Sequence, residues 1–200
     1  MLSEAIFYSI TIGIVPAIIW LWFWLHEDQE HPEPRSTIAL CFVAGMIAAP
    51  LAALIQIALQ KHIGESTFVF LGTSISYYII AWVVAEELLK FAASYFALKN
   101  KKIFDEPVDA MIYLITTALG FVAVENTLYA LQTILHTGVV EGFVNGISRF
   151  LGPSLLHIVT SGIIGLSISL SFYLHGRAKR LYIYAGLFTA ILLHAFYNFF

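Results

Sequence analysis

The chain has 200 residues, of which 60% are hydrophobic and 12% charged, and its mean hydropathy is +0.84. Soluble domains carry about 45–50% apolar and about 25% charged residues, so this composition excludes disorder, a basic nucleic-acid-binding domain and an ordinary water-soluble enzyme. The net charge of −3 is too small to steer a charged partner.

A membrane-crossing helix needs about 20 mainly apolar residues for a ~30 Å hydrocarbon core. Six stretches qualify: 5–25, 38–60, 74–98, 109–135, 151–175 and 182–200. They predict an all-α, polytopic bundle of about six spans. The whole chain, 1–200, reads as one membrane-embedded domain, with its polar groups coming from about 74–200. The first stretch has neither a basic start nor a small-residue cleavage site, so it reads as a span and not a removed leader. Trp20, Trp22 and Trp24 at its end fit an interfacial aromatic belt. Pro32 and Pro34 mark a loop, where His26 and His31 are expected to be solvated, as is His62 in the next loop. Cys41, the lone cysteine, excludes an internal disulfide and a cysteine metal cage. It sits in an apolar run and reads as a packed thiol. Segment 66–76 either lengthens the third span or lies on the outer surface. Asp105-Glu106-Pro107 supplies a cap residue and a helix-initiating proline before the fourth span. The sequence stops on Asn198-Phe199-Phe200 without a polar tail, so the last span is expected to be cut short.

The basic residues set the orientation. Loop 26–37 holds Arg35, loop 99–108 holds Lys99, Lys101 and Lys102, and loop 176–181 holds Arg177, Lys179 and Arg180. A six-span chain puts these on one side, leaving only Lys61 and Arg149 on the other. The positive-inside rule then makes the three loops cytoplasmic and both termini external. Glu27, Asp28, Glu30 and Glu33 in the first loop weigh little in that rule.

Several polar groups remain inside spans, where a charge at mid-helix costs roughly 2.5–3.5 kcal/mol. They are Glu86, Glu87 and Lys90 in the third span, and Glu125 and Asn126 in the fourth. His157 lies in the fifth, and His194 and Asn198 lie in the sixth. At 1.5 Å rise per residue, Glu86, Glu125, His157, His194 and Asn198 all fall about 18–25 Å above the cytoplasmic edge. They form one layer in the outer half of the membrane and must face the bundle interior or each other. Lys90 is three residues from Glu87 and four from Glu86, so it can pair with either. In this reading it holds one glutamate charged while the other works. Phe121, Glu125 and Tyr129 share a face, as do His194 and Asn198. Ser161 and Gly165 extend the His157 face with small residues that admit a close neighbour.

A carboxylate beside a histidine can take a proton from water and make it a nucleophile. A second histidine with an amide can donate to the oxyanion of a tetrahedral intermediate. The same set, Glu86, Glu125, His157 and His194, is also a plausible zinc-ligand group with room for water. No nucleophilic serine or cysteine stands out, and Ser154 and Ser161 read as packing residues. Buried Glu–Lys and His–Asn contacts can equally glue helices together or relay protons in a transporter. On the residues alone, a hydrolase and a proton-coupled carrier stand level. His136, Glu141 and His175 near span ends read as interfacial, and Arg149 is ambiguous.

Taken together, five motifs resemble the PrsW family of membrane-embedded proteases. They are Glu86-Glu87-x-x-Lys90, Asp105-Glu106-Pro107-x-Asp109, Gly120-Phe121-x-x-x-Glu125-Asn126-x-x-Tyr129, His157, and His194-x-x-x-Asn198. That family is distantly similar to CAAX prenyl endopeptidases and bacteriocin-processing proteases. The match runs from about Glu86 to Asn198. The resemblance implies an endopeptidase that cuts membrane-associated proteins or peptides within the bilayer. It implies Glu86 as general base, with Glu87, Glu125 and His157 in the catalytic set. His194 and Asn198 fall on the oxyanion side, and Lys90 and Asn126 are supporting residues. Lys90 stands one position nearer than the usual arginine of the CAAX-type pattern, and Glu125 replaces a histidine there. The partner of Glu86 is therefore Glu125 or His157. By analogy the chemistry is glutamate-based with no cofactor. Zinc is the alternative, since such proteins are also grouped with metallopeptidases.

Overall fold

A computed structural model describes residues 2–27, 32–64, 66–70, 72–99 and 105–200. Lys101 and Lys102 of the second basic loop, and Asp28, Glu30 and His31 of the first, lie outside the described residues. The described chain runs α1 (Leu2–Glu27), α2 (Arg35–Ile63), β1 (Thr67–Phe70), β2 (Thr73–Ser76), α3 (Tyr77–Leu98), α4 (Asp109–Thr137), α5 (Val139–Leu151), α6 (Pro153–Leu170) and α7 (Gly176–Phe199). Five helical segments are long and apolar enough to cross a membrane, with α5 and α6 together making one of them. The sixth helix of the bundle, α3, has 22 residues, or about 33 Å. Its charges, Glu86, Glu87 and Lys90, are all buried. The expected all-α membrane bundle is therefore present.

Helix α4 is the axle. Nearly every side chain from Asp109 to Ala123 is buried, as expected of a helix that is apolar all round. α1, α2 and α6 pack around it. Helix α2 comes closest, where two glycines remove side chains from the contact. A Cβ on Gly45 would stand 1.9 Å from the Thr117 carbonyl, and one on Gly120 would stand 1.9 Å from that of Phe42. On the opposite flank, a Cβ on Gly165 would lie 2.5 Å from Met111 Cα. The small-residue stripe below His157 thus lets α6 lie against α4, as its spacing indicates.

Four local readings change or narrow. Segment 66–76 does not lengthen the third span, the first of the two alternatives its sequence left open. It is an antiparallel hairpin pairing Thr67 with Ser76 and Phe70 with Thr73, turned at Gly72 with φ +81. The third span therefore starts at Tyr77. Residues 139–151, between the fourth and fifth spans, form a helix of their own. It leaves α4 at Gly138, whose φ of +111 suits only glycine. Before α4, Asp105 does not cap the helix: the N-cap position is Val108, with no side-chain cap, and the carboxylate of Asp109 in the first turn ties down the preceding turn instead. Asp109 Oδ2 accepts the Asp105 and Glu106 N–H groups at 3.0 and 2.9 Å. Of the three tryptophans, only Trp22 faces outward. Trp20 and Trp24, four apart on one face, pack inward near Ile115 and Leu119. Cys41 is fully buried among Ile38, Leu98, Ile112 and Tyr113, as a packed thiol should be.

Candidate active site

Five helices converge on one buried layer. α3 contributes Trp82, Glu86, Glu87 and Lys90. α4 contributes Glu125 and Asn126, α5 Arg149, α6 His157 and Thr160, and α7 His194. Three donors meet on a single oxygen, Glu87 Oε1. They are Lys90 Nζ at 2.8 Å, His194 Nδ1 at 2.7 Å and Thr160 Oγ1 at 3.2 Å. The pairing that sequence spacing leaves open is thus decided: Lys90 holds Glu87. Glu86, with Glu87 and Lys90 turned away from it, accepts a hydrogen bond from the Trp82 indole one turn earlier.

Each histidine is oriented through one ring nitrogen. With Nδ1 donating to Glu87, His194 presents Nε2 to Glu86 Oε2 at 3.7 Å. His157 Nδ1 faces Lys90 Nζ at 3.0 Å. An ammonium can only donate, so Nδ1 accepts and the His157 ring hydrogen sits on Nε2. That nitrogen is 3.1 Å from Glu125 Oε2. The two rings stand edge to face, 4.9 Å between centroids. Glu125 is held from its other side by Arg149, whose Nη2 lies 2.9 Å from Oε1. Arg149 also donates from Nε to Asn126 Oδ1 at 2.7 Å and stacks over the Tyr129 ring at 3.9 Å. Asn126 in turn donates to Ser154 Oγ at 3.0 Å.

Seven of the eight expected residues are therefore brought together: Glu86, Glu87, Lys90, Glu125, Asn126, His157 and His194. Asn198 is not. It is exposed on α7, one turn beyond the buried His194, and makes no hydrogen bond among the described residues. Sequence reasoning missed Trp82, Thr160 and the role of Arg149. Trp82 and Thr160 lie at helical spacings of four and three from Glu86 and His157, so periodicity could have found them. Arg149 could not be found that way, because the region around it reads as a loop.

Beside the layer is a cleft of about 200 Å³. Glu86 and Glu125 line it, with Trp82 and Tyr129 beyond them. Ala49, Ala52, Ala53 and Gln56 of α2 form the facing wall, and Gln132 of α4 lies further along. The carboxylates are thus reachable, while Glu87 and Lys90 behind them are sealed.

One oxygen or nitrogen each from Glu86, His157 and His194 lie within 4.8 Å of one another. This is a nitrogen-and-oxygen donor set of the kind that binds zinc. His194 also shows the carboxylate–histidine support usual behind a metal ligand. Glu125 Oε2 is buried with no aligned hydrogen bond among the described residues, so an electron-rich atom adjoins the triangle. The residues present fit a divalent metal. Glu125, the fourth ligand expected from sequence, instead stands between His157 and Arg149.

A multi-pass helical bundle that encloses carboxylates and histidines beside an open cleft has the build of a membrane-embedded hydrolase. The comparisons with known proteins make this specific. Residues 33–200 match the family described as PrsW family intramembrane metalloprotease, and the chain belongs to that family. Among curated relatives, the chain is 27% identical to Protease PrsW of Geobacillus kaustophilus over 198 residues, covering 96% of this chain and 79% of that protein. It is 28% identical to Protease PrsW of Bacillus subtilis, covering 96% and 82%. It is also 28% identical to Protease PrsW of Clostridioides difficile, covering 94% and 76%. No solved structure matches. The protein is a multi-pass membrane peptidase.

Proposed function

We propose that this protein cleaves peptide bonds in membrane-associated proteins or peptides, with the reaction centred on Glu86, His157 and His194. The observation that carries this reading is the split of the glutamate pair. Glu87 accepts three donors and is sealed, whereas Glu86 faces a cleft. A carboxylate free to exchange protons at a cleft wall suits general-base chemistry. His194, its Nδ1 hydrogen given to Glu87, aims an unprotonated Nε2 at the Glu86 side, where it can accept a hydrogen from the reacting water and orient its oxygen. His157 can donate its Nε2 hydrogen to a hydrogen bond with Glu125, which Arg149 holds from the other side. The alanine wall of α2 admits substrate backbone near Glu86. Gln56 and Gln132 offer amides able to pair with peptide groups along the cleft.

Glu86, His157 and His194 are the residues that would hold a zinc ion, which supplies Lewis acidity and a water of lowered pKa. His157 would ligate through Nε2 only in the tautomer that carries its hydrogen on Nδ1, the atom that Lys90 faces. A metal-free glutamate mechanism is the second reading. The Lys90 contact favours it, because it keeps that hydrogen on Nε2. Elemental analysis of the purified protein, with cleavage measured after strong chelation, separates the two. Full activity without bound metal removes the zinc reading.

The proposed orientation puts loops 26–37, 99–108 and 176–181 in the cytoplasm and the termini outside. Seven basic residues on one side against two on the other support it. The cleft then opens toward the outer face, where Gln56 and Gln132 lie near the ends of α2 and α4. The central test is cleavage of a co-reconstituted membrane substrate. Glu86→Gln should lose at least about a hundredfold in rate while the bundle stays folded. Normal cleavage by that variant refutes the assignment.

A further inference from the structure

Helices α3 and α7 meet at the His194–Glu87 contact and, next to it, where Phe91 packs in one cluster with Leu187 and Ala190. His194 grips Glu87 at 2.7 Å, but toward the opposite ends of the two helices a crevice of about 520 Å³ separates them. This volume lies within the range of about 300–1,000 Å³ typical of ligand sites. Its walls are Phe91, Tyr95, Leu98, Leu114, Ile168 and Ile183. Ser94 spends its hydroxyl hydrogen on Thr117 at 2.8 Å, and the other polar groups of the lining belong to the exposed Tyr95 and Lys99, so the interior offers a mainly apolar surface. Phe91 follows Glu87 by one turn, which puts the inner end of the crevice about 6 Å from the buried ion pair.

The mouth is different. Lys99 lines it from the end of α3. On α7, Arg180 and Lys179 precede Ile183 by three and four residues, so they share its side of the helix one turn nearer the end. Lys99 and Arg180 are exposed, and none of the three makes an ion pair among the described residues. They sit at helix ends, at the level where a bilayer's headgroups lie. An apolar slot inside the hydrocarbon, closed by unpaired cations at its rim, has the charge and polarity complementary to one class of molecule.

We propose that the α3–α7 crevice binds one anionic phospholipid, with an acyl chain against Phe91, Leu114 and Ile168 and its phosphate at Lys99, Lys179 and Arg180. The lipid fills the gap below the Glu87–His194 contact and so braces the two helices that carry it. The proposal does not depend on which bond the protein cleaves, or on whether it holds a metal.

The test uses the intact protein reconstituted in vesicles of equal phosphatidylglycerol and phosphatidylcholine, with retained lipid identified by native mass spectrometry. Each cation near a membrane surface contributes about fivefold to anionic-lipid attraction. The parent should therefore retain one phosphatidylglycerol in preference to phosphatidylcholine by tenfold or more. The triple variant Lys99→Gln, Lys179→Gln, Arg180→Gln changes only residues at the helix ends, and it should lose that preference. Ile183→Trp, which narrows the mouth, should retain neither lipid. Equal retention of both lipids by the parent overturns the proposal, as does a preference that survives the triple variant. Crosslinking of a substrate's membrane helix, in place of lipid, to position 95 would overturn it as well.

Discussion

The Lys90–Glu87 pair gives the sharpest energetic test of the buried layer. Both side chains are essentially inaccessible, and Lys90 Nζ also faces His157 Nδ1 at 3.0 Å and Thr160 Oγ1 at 3.3 Å. Lys90→Met keeps the apolar stem and deletes the charge. Removing one partner of a buried ion pair typically costs 3–5 kcal/mol, because the other charge is left uncompensated. Here Glu87 keeps His194 and Thr160 as donors, which places the expected loss near the lower end, about 3 kcal/mol. Glu87→Gln combined with Lys90→Met removes the stranded charge. The double variant should regain most of the loss, with a coupling of about 2 kcal/mol between the two sites. Denaturant titration in detergent micelles, followed by far-ultraviolet circular dichroism, measures all four corners of the cycle. A Lys90→Met variant within 1 kcal/mol of the parent would show that the pair does not carry the layer. So would a double variant as unstable as the sum of the singles.

Three further outcomes follow from the geometry. Arg149→Ala should lower cleavage about tenfold or more with little loss of helicity, since it frees Glu125 from one side. Arg149→Lys should recover part of the rate but not the stacking on Tyr129, and equal rates for all three forms would exclude a positioning role. Asn198→Ala should stay within about twofold of the parent, as an exposed side chain outside the layer would. A hundredfold loss there would mean that Asn198 reaches the reacting groups after all. Gly45→Val should destabilise the bundle by more than about 1 kcal/mol, because its side chain would meet the Thr117 carbonyl. Unchanged thermal unfolding would contradict the close α2–α4 crossing.

What could be read from the sequence depended on the range of the interaction. Spans are set by local hydrophobicity over about 20 residues, so their number and order were legible. The depth of Glu86, Glu125, His157 and His194 follows from helix rise, which is also local. Contacts within one helix were partly legible: Lys90 had two permitted partners at i−3 and i−4, and the spacing could not choose between them. The hairpin at 67–76 and helix α5 were missed because short segments outside the spans carry weak hydrophobic patterns. Asn198 was grouped with His194 by spacing four. In the fold, the helix end it occupies has no neighbour to bury it.

The sequence by itself determined that this chain lives in a membrane as a helical bundle, and that a few charges are held there at one depth. Scarcity made that possible, because with 12% charged residues each one inside a span is costly and must have a reason. Only the tertiary structure decided what each charge does. It gave Glu87 to Lys90 and His194, left Glu86 at the cleft, and brought Arg149 in from α5 to hold Glu125. Those choices depend on rotation and crossing of helices far apart in sequence. Close approaches at glycines and buried pairing at distances near 3 Å fix them, and no periodicity along a single helix encodes them.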